Sequence, residues 1–179
     1  MEKRIVNVII QAPGGTAAKN ASTFKLSLPS SWIKEMGISE NDRQVELQFD
    51  GTSIVINKKL GMQDFIKSAT ERGREIYILS YYDDKTLCSK IAVDYIDKSI
   101  CVENYVANIL RTAFGNNQNP TWEDYQLFLE DRCIPKSRAG LREYLDEIGV
   151  DAFDPLEIIK KTSGRMAEDQ QWVRVEVVK

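Results

Sequence analysis

The chain has 179 residues, 42% hydrophobic and 28% charged, with 24 Lys or Arg against 27 Asp or Glu, a length that buries more than half of the unfolded surface without disulfide staples. It contains no histidine, which excludes Ser-His-Asp and Cys-His catalysis, His-ligated zinc and an imidazole switch near neutral pH. Three cysteines, Cys88, Cys101 and Cys133, form no C-x-x-C pair, and no run approaches the roughly 20 apolar residues of a bilayer span, so the expectation is a cytoplasmic protein with structural thiols and no membrane association.

Ile5 to Ile10 is β-branched and reads as a strand that stops at Pro13-Gly14-Gly15. Phe24 to Leu28 alternates with period two and pairs back as the second strand of a hairpin with a long tip. Pro29 ends it, Ser30 or Ser31 caps a short helix carrying Trp32, Ile33 and Met36, and Gly37 closes that helix. Val45 to Phe49 and Ser53 to Asn57 flank Asp50-Gly51, the pattern of a tight hairpin. Some 55 residues arranged as hairpin, short helix, hairpin leave sheet edges open and a small core, which predicts dimerisation.

Met62 to Arg72 reads as a helix with Phe65, Ile66 and Ala69 on one side. A three-stranded antiparallel meander follows within about 75–103. The period then becomes helical over about 121–163. Thr121 caps a helix with Asp124 in the box position, Ser137 caps a second helix over Arg138 to Ile148, and Asp154-Pro155 starts a third. Trp172 to Val178 alternates as a last strand. The fold class expected is α+β, divided as residues 1–60 and 61–179, with the meander and a C-terminal helical bundle in the second part. Residues 1–61 carry eight basic against six acidic side chains and residues 62–179 sixteen against twenty-one, so the basic excess lies at the N-terminus.

The run Lys25-Leu26-Ser27-Leu28-Pro29-Ser30-Ser31-Trp32-Ile33-Lys34-Glu35-Met36-Gly37-Ile38, with the acidic loop and hairpin after it, resembles the AbrB/MazE/SpoVT domain over about residues 4–59. The resemblance implies a swapped-hairpin, β-barrel-like homodimer that binds double-stranded DNA as a regulator or antitoxin. It places Lys25 and Lys34 at positions often basic in that family, with Arg4, Lys19 and Asn20 as further DNA-binding candidates. From Asn104 to Trp172, notably Thr121-Trp122-Glu123-Asp124-Tyr125 and Arg132-Cys133-Ile134-Pro135, the wording resembles uncharacterised proteins of Firmicutes and their mobile elements, and that likeness names no activity.

Arg132, Lys136, Arg138 and Arg142 are a candidate second basic patch. They read either as a helix-turn-helix with Arg138 and Arg142 facing a groove or, as the charge pattern favours, as a solvated surface paired with neighbouring carboxylates. Gly14-Gly15-Thr16 lacks the spacing of a phosphate loop. Asp83-Asp84, Glu123-Asp124 and Glu130-Asp131 are adjacent in sequence and do not converge as an acid/base pair or metal clamp. Tyr77, Tyr81, Tyr82 and Tyr95 suit strand packing better than base stacking. No catalytic residue, metal site or cofactor is therefore expected. Two functions remain: a dimeric DNA-binding transcriptional regulator or antitoxin-like protein whose residues 61–179 bind a partner or effector, and a mobile-element protein inhibitor, an antitoxin or anti-CRISPR factor, acting on a protein target.

Overall fold

The computed structural model describes residues 2–11 and 22–179. The chain divides into two compact units, Met1–Lys59 and Leu60–Lys179, and the architecture is mixed α and β with antiparallel sheets.

In the first unit β1 (Ile9–Gln11) pairs with β2 (Thr23–Lys25), and β3 (Val45–Phe49) pairs with β4 (Ile54–Lys58). The first two strands are shorter than the alternation of Ile5–Ile10 and Phe24–Leu28 predicts. The hairpins form two separate two-stranded sheets, so the described residues form no closed barrel. Between them lies α1 (Ser30–Glu35), entered directly from Pro29 with no side-chain cap, contrary to the role expected of Ser30 or Ser31. The second hairpin turns through a four-residue loop, because Phe49 pairs with Ile54. Asp50 Oδ1 accepts the N–H groups of Thr52 at 2.8 Å and Ser53 at 2.7 Å, and Gly51 takes a φ of 93°. The Asp side chain thus organises a wider loop than the two-residue turn that Asp-Gly suggests.

The second unit is built on a four-stranded antiparallel sheet of β5 (Ile76–Asp83), β6 (Thr86–Asp94), β7 (Ser99–Asn104) and β8 (Gln171–Val178), in the order β7-β6-β5-β8. The C-terminal strand therefore extends the meander along β5, a pairing between segments some 90 residues apart. Alternation assigns the faces. Ile76, Ile78 and Ala92 pack with Met62 and Ala69 of α2 (Met62–Glu71) on one side. On the other, Leu79, Tyr81, Ile91, Val93 and Val173 pack with the helical group α3 (Trp122–Asp131), α4 (Leu141–Ile148) and α5 (Pro155–Thr162).

Two of the three helix starts in that group follow the local code. Thr121 and Asp124 form the capping box, with Thr121 N–H donating to Asp124 Oδ2 at 2.7 Å and Asp124 N–H to Thr121 Oγ1 at 3.2 Å. Asp154 Oδ1 caps α5 by accepting from Leu156 N–H at 2.9 Å. The third departs from it. Gly140 at φ 77° bars helix before Leu141, so Ser137 caps nothing and Arg138 lies in a turn, its N–H bonded to Pro135 O.

Arg132 ties this layer to the sheet. It is 7% exposed, and its guanidinium grips Asp169 bidentately at 2.8 and 3.0 Å while also donating to Gly164 O and Gln171 Oε1. The segment before β8 is thereby fixed to the end of α3, with Gly164 close enough that an added Cβ would meet Arg132 Cβ at 3.3 Å. Removing the carboxylate leaves a buried cation unpaired. Asp169→Ala should lower unfolding free energy by about 2–4 kcal/mol in urea titrations, below the range for a wholly enclosed pair because Asp169 is partly solvated. Arg132 holds the Asp169 carboxyl below its ordinary range. The pair's contribution is therefore full above the unfolded carboxyl pKa of about 3.9 and is lost as pH falls through the lower folded value, a loss that Asp169→Asn should abolish.

Candidate nucleic-acid interface

The register sorts the first unit into two kinds of face. On the second hairpin Phe49, Ile54, Leu47, Ile56 and Val45 share one side, and Gln48, Val55, Glu46 and Asn57 share the other. On the first hairpin Ile10 and Phe24 share a side, with Ile9, Lys25, Gln11 and Thr23 opposite. The apolar sides are uncovered. Phe49 is 71% exposed, Ile54 67%, Leu47 65% and Phe24 65%. Among the described residues up to Lys59 none is buried; Trp32, Ile33 and Met36 of the short-helix region reach only half-burial, with Trp32 Nε1 donating to Glu2 at 2.6 Å.

The expected DNA-binding residues fall on this frame as follows. Lys25 ends β2 on its polar side, Lys34 stands in the last turn of α1, and Arg4 lies in the segment before β1; all three are exposed. None forms an ion pair with a described residue. Lys58, by contrast, is held by Asp42 at 2.7 Å. Lys19 and Asn20, together with the Gly14-Gly15-Thr16 loop, lie outside the described residues.

The second basic patch does not assemble. Arg132 is buried in its pair with Asp169, Arg138 lies off the helix that carries Arg142, and Lys136 sits over the Phe153 ring at 5.7 Å. The helix-turn-helix reading fails because Arg138 and Arg142 no longer share a helical face. Sequence gave no signal for the Arg132 partner, since Asp169 is 37 residues away and the carboxylates at helical spacing looked equally suitable.

The tyrosines are taken up in packing. Tyr77 meets Tyr95 edge-on at 5.1 Å, Tyr81 meets Phe128 at 5.5 Å, and Tyr82 stacks on Trp172 at 4.3 Å. Among the described residues no group of three or more carboxylates and thiols is placed to hold a metal ion, and no helix is long and apolar enough to cross a membrane. Comparison with protein-family models, curated proteins and solved structures returns no match.

Cys88 and Cys133 are buried thiols. Burial pushes the Cys133 thiol up to about 12, with Asp154 adding to the rise, so almost no thiolate exists at neutral pH. Iodoacetamide at pH 8 should leave Cys133 unmodified in the folded protein and label it once urea unfolds the chain, as peptide mass spectrometry will show. Rapid labelling in the native state would contradict this burial.

Proposed function

We propose that the chain is a dimeric DNA-binding regulator or antitoxin-like protein, in which residues 1–59 assemble with a second copy to grip duplex phosphates and the remainder binds a protein partner or effector. The observation that carries the reading is the pair of uncovered apolar hairpin faces in a unit without one buried described residue. Burying a Leu or Phe side chain is worth about 1.5–3 kcal/mol, while association costs roughly 4–15 kcal/mol. Four or five such residues from each of two copies are therefore enough to favour assembly. A two-fold interface supplies each face with its own kind, and the resemblance of residues 4–59 to the swapped-hairpin domain points to the same arrangement.

Support for the duplex as target comes from Lys25 and Lys34, exposed cations on elements whose apolar sides would be occupied by the dimer, and from Arg4, exposed in the segment before β1. Such side chains neutralise phosphates and release counterions. The formal net charge of −3 means that the attracting field must be local to this unit.

Sedimentation of the full chain should give twice the chain mass, and Phe49→Glu, which puts charge on the apolar face, should shift it to monomer. A wild-type chain that stays monomeric at high concentration removes the dimer. Lys25→Glu with Lys34→Glu should weaken duplex binding several-fold without changing the sedimentation, and should reduce the slope of log affinity against log salt by about four for the dimer. An unchanged slope, or no duplex binding by the wild type at low salt, would transfer the function to the inhibitor reading, with the acidic second unit acting on a basic protein.

A further inference from the structure

The second unit has a cavity of about 280 Å³ between the turn from β6 to β7, α3 and the start of α5. That is small beside the roughly 300–1,000 Å³ of sites for drug-sized ligands, so its occupant is a compact group. Four aromatic rings line it: Tyr95, Trp122, Tyr125 and Phe153. Tyr95 stands at 89° to Trp122, 5.3 Å away, and at 71° to Tyr125, 6.2 Å away. The rings therefore stand at several angles to one another instead of forming one flat platform, and Tyr125 is fully buried among them. A hydrogen bond of 2.6 Å between the hydroxyls of Tyr95 and Tyr125 fixes two of them.

The charged side chains in the lining itself are of one sign. Glu130 and Asp154 also line the cavity. Asp154 uses Oδ1 for both of its cap bonds, to Leu156 N–H at 2.9 Å and Glu157 N–H at 3.2 Å. Burial pushes the Tyr95 hydroxyl up to about 12 and raises that of Tyr125 as well, so both rings remain neutral phenols across the physiological range. The fold seats ammonium groups of its own on this aromatic cluster, one of them on a lining ring: Lys136 Nζ lies 5.7 Å from the Phe153 centroid, and Lys160 Nζ lies 4.9 Å from that of Tyr77, which packs edge-on against Tyr95. Ring faces beside carboxylates attract cations by their quadrupole, most strongly when the cation is weakly hydrated.

From these observations we infer that the cavity walled by the half-buried Tyr95 and Trp122, with Tyr125 buried behind them and Glu130 and Asp154 at its lining, binds a methylated ammonium group. A quaternary ammonium suits it better than a primary one, because it makes no hydrogen bonds that the apolar walls would strand. Two sources carry this chemistry, a free choline-like molecule and a trimethylated lysine side chain. The inference gives the effector role proposed above a ligand class, and it does not depend on duplex binding.

The test is calorimetric titration of the full chain, without DNA, by choline, tetramethylammonium, Nα-acetyl-trimethyllysine amide and 3,3-dimethylbutan-1-ol, the last an uncharged isostere of choline. The charged probes should bind at one site per chain, and the neutral isostere about tenfold more weakly. Tighter binding of choline assigns the site to a free small molecule, and tighter binding of the lysine derivative assigns it to a modified protein. Asp154→Asn combined with Glu130→Gln keeps the helix cap, since Asn caps as well as Asp, and should weaken the charged probes about tenfold while leaving the isostere unchanged. Trp122→Leu, confirmed as folded by its circular dichroism, should abolish binding. Equal affinity for choline and its isostere, insensitivity to both sets of substitutions, or no heat at roughly 10 mM probe would overturn the inference, and none of these results bears on duplex affinity.

Discussion

A two-stranded hairpin has two faces and nothing of its own to cover them, and this constraint governs the first 59 residues. The register gathers Val45, Leu47, Phe49, Ile54 and Ile56 on one side of the second hairpin, where an isolated pair of strands is at best marginally stable in water. The helix between the hairpins has six residues, too few to roof either sheet or to hold its shape without packing. Among its described residues such a unit holds no buried core of its own. A second copy would answer the need with the surfaces already present, because a two-fold axis would set each apolar face against an equal one. The exposed polar sides, Lys25 among them, would then become the outer surface.

The second unit meets the same constraint within one chain. Its sheet has four strands, and both faces are covered, by α2 on one side and by α3, α4 and α5 on the other. Three of its arginines are engaged by carboxylates of the same unit. Arg132 binds Asp169, Arg74 binds Asp94 and Asp97, and Arg111 binds Asp83 at 2.6 Å. Asp94 is 1% exposed and accepts the N–H groups of Ile96 and Asp97 besides its Arg74 bond at 2.8 Å. A buried carboxylate with this many donors is fully compensated, whereas either partner alone would be costly.

Local signals in the sequence carried much of this arrangement. Thr121 with Asp124, Asp154 with Pro155, and the strict alternation of Val45–Phe49 and Trp172–Val178 each act within a few residues, and each is found in place. What escaped depends on distance or on a backbone angle. The pairing of β8 with β5, and of Arg132 with Asp169, joins segments whose intervening chain could have followed many paths. The positive φ of Gly140 moved the start of α4 by three residues past Arg138, and with it went the groove-facing geometry of the second patch. The uncovered faces of the first unit were legible as a shortage of core, but which residues remain bare follows only from the register.

Charge sign separates the chemistry of the two units. In the first, the exposed Lys25, Lys34 and Arg4 suit an anion such as phosphate, and a Coulomb attraction spread over water is enough because duplex phosphates are dense and release counterions on contact. In the second, acidic side chains outnumber basic ones, and several of the arginines are already committed to carboxylates. An anionic ligand there would meet repulsion, while a cation would meet both the residual negative field and the half-buried rings of Tyr95 and Trp122. Under the proposed function, binding at that cavity would alter duplex affinity only to the extent that DNA-bound and free forms of the protein differed in their affinity for the cation. Any regulatory effect must therefore appear equally as an effect of duplex on cation binding, since the coupling free energy is the same in both directions.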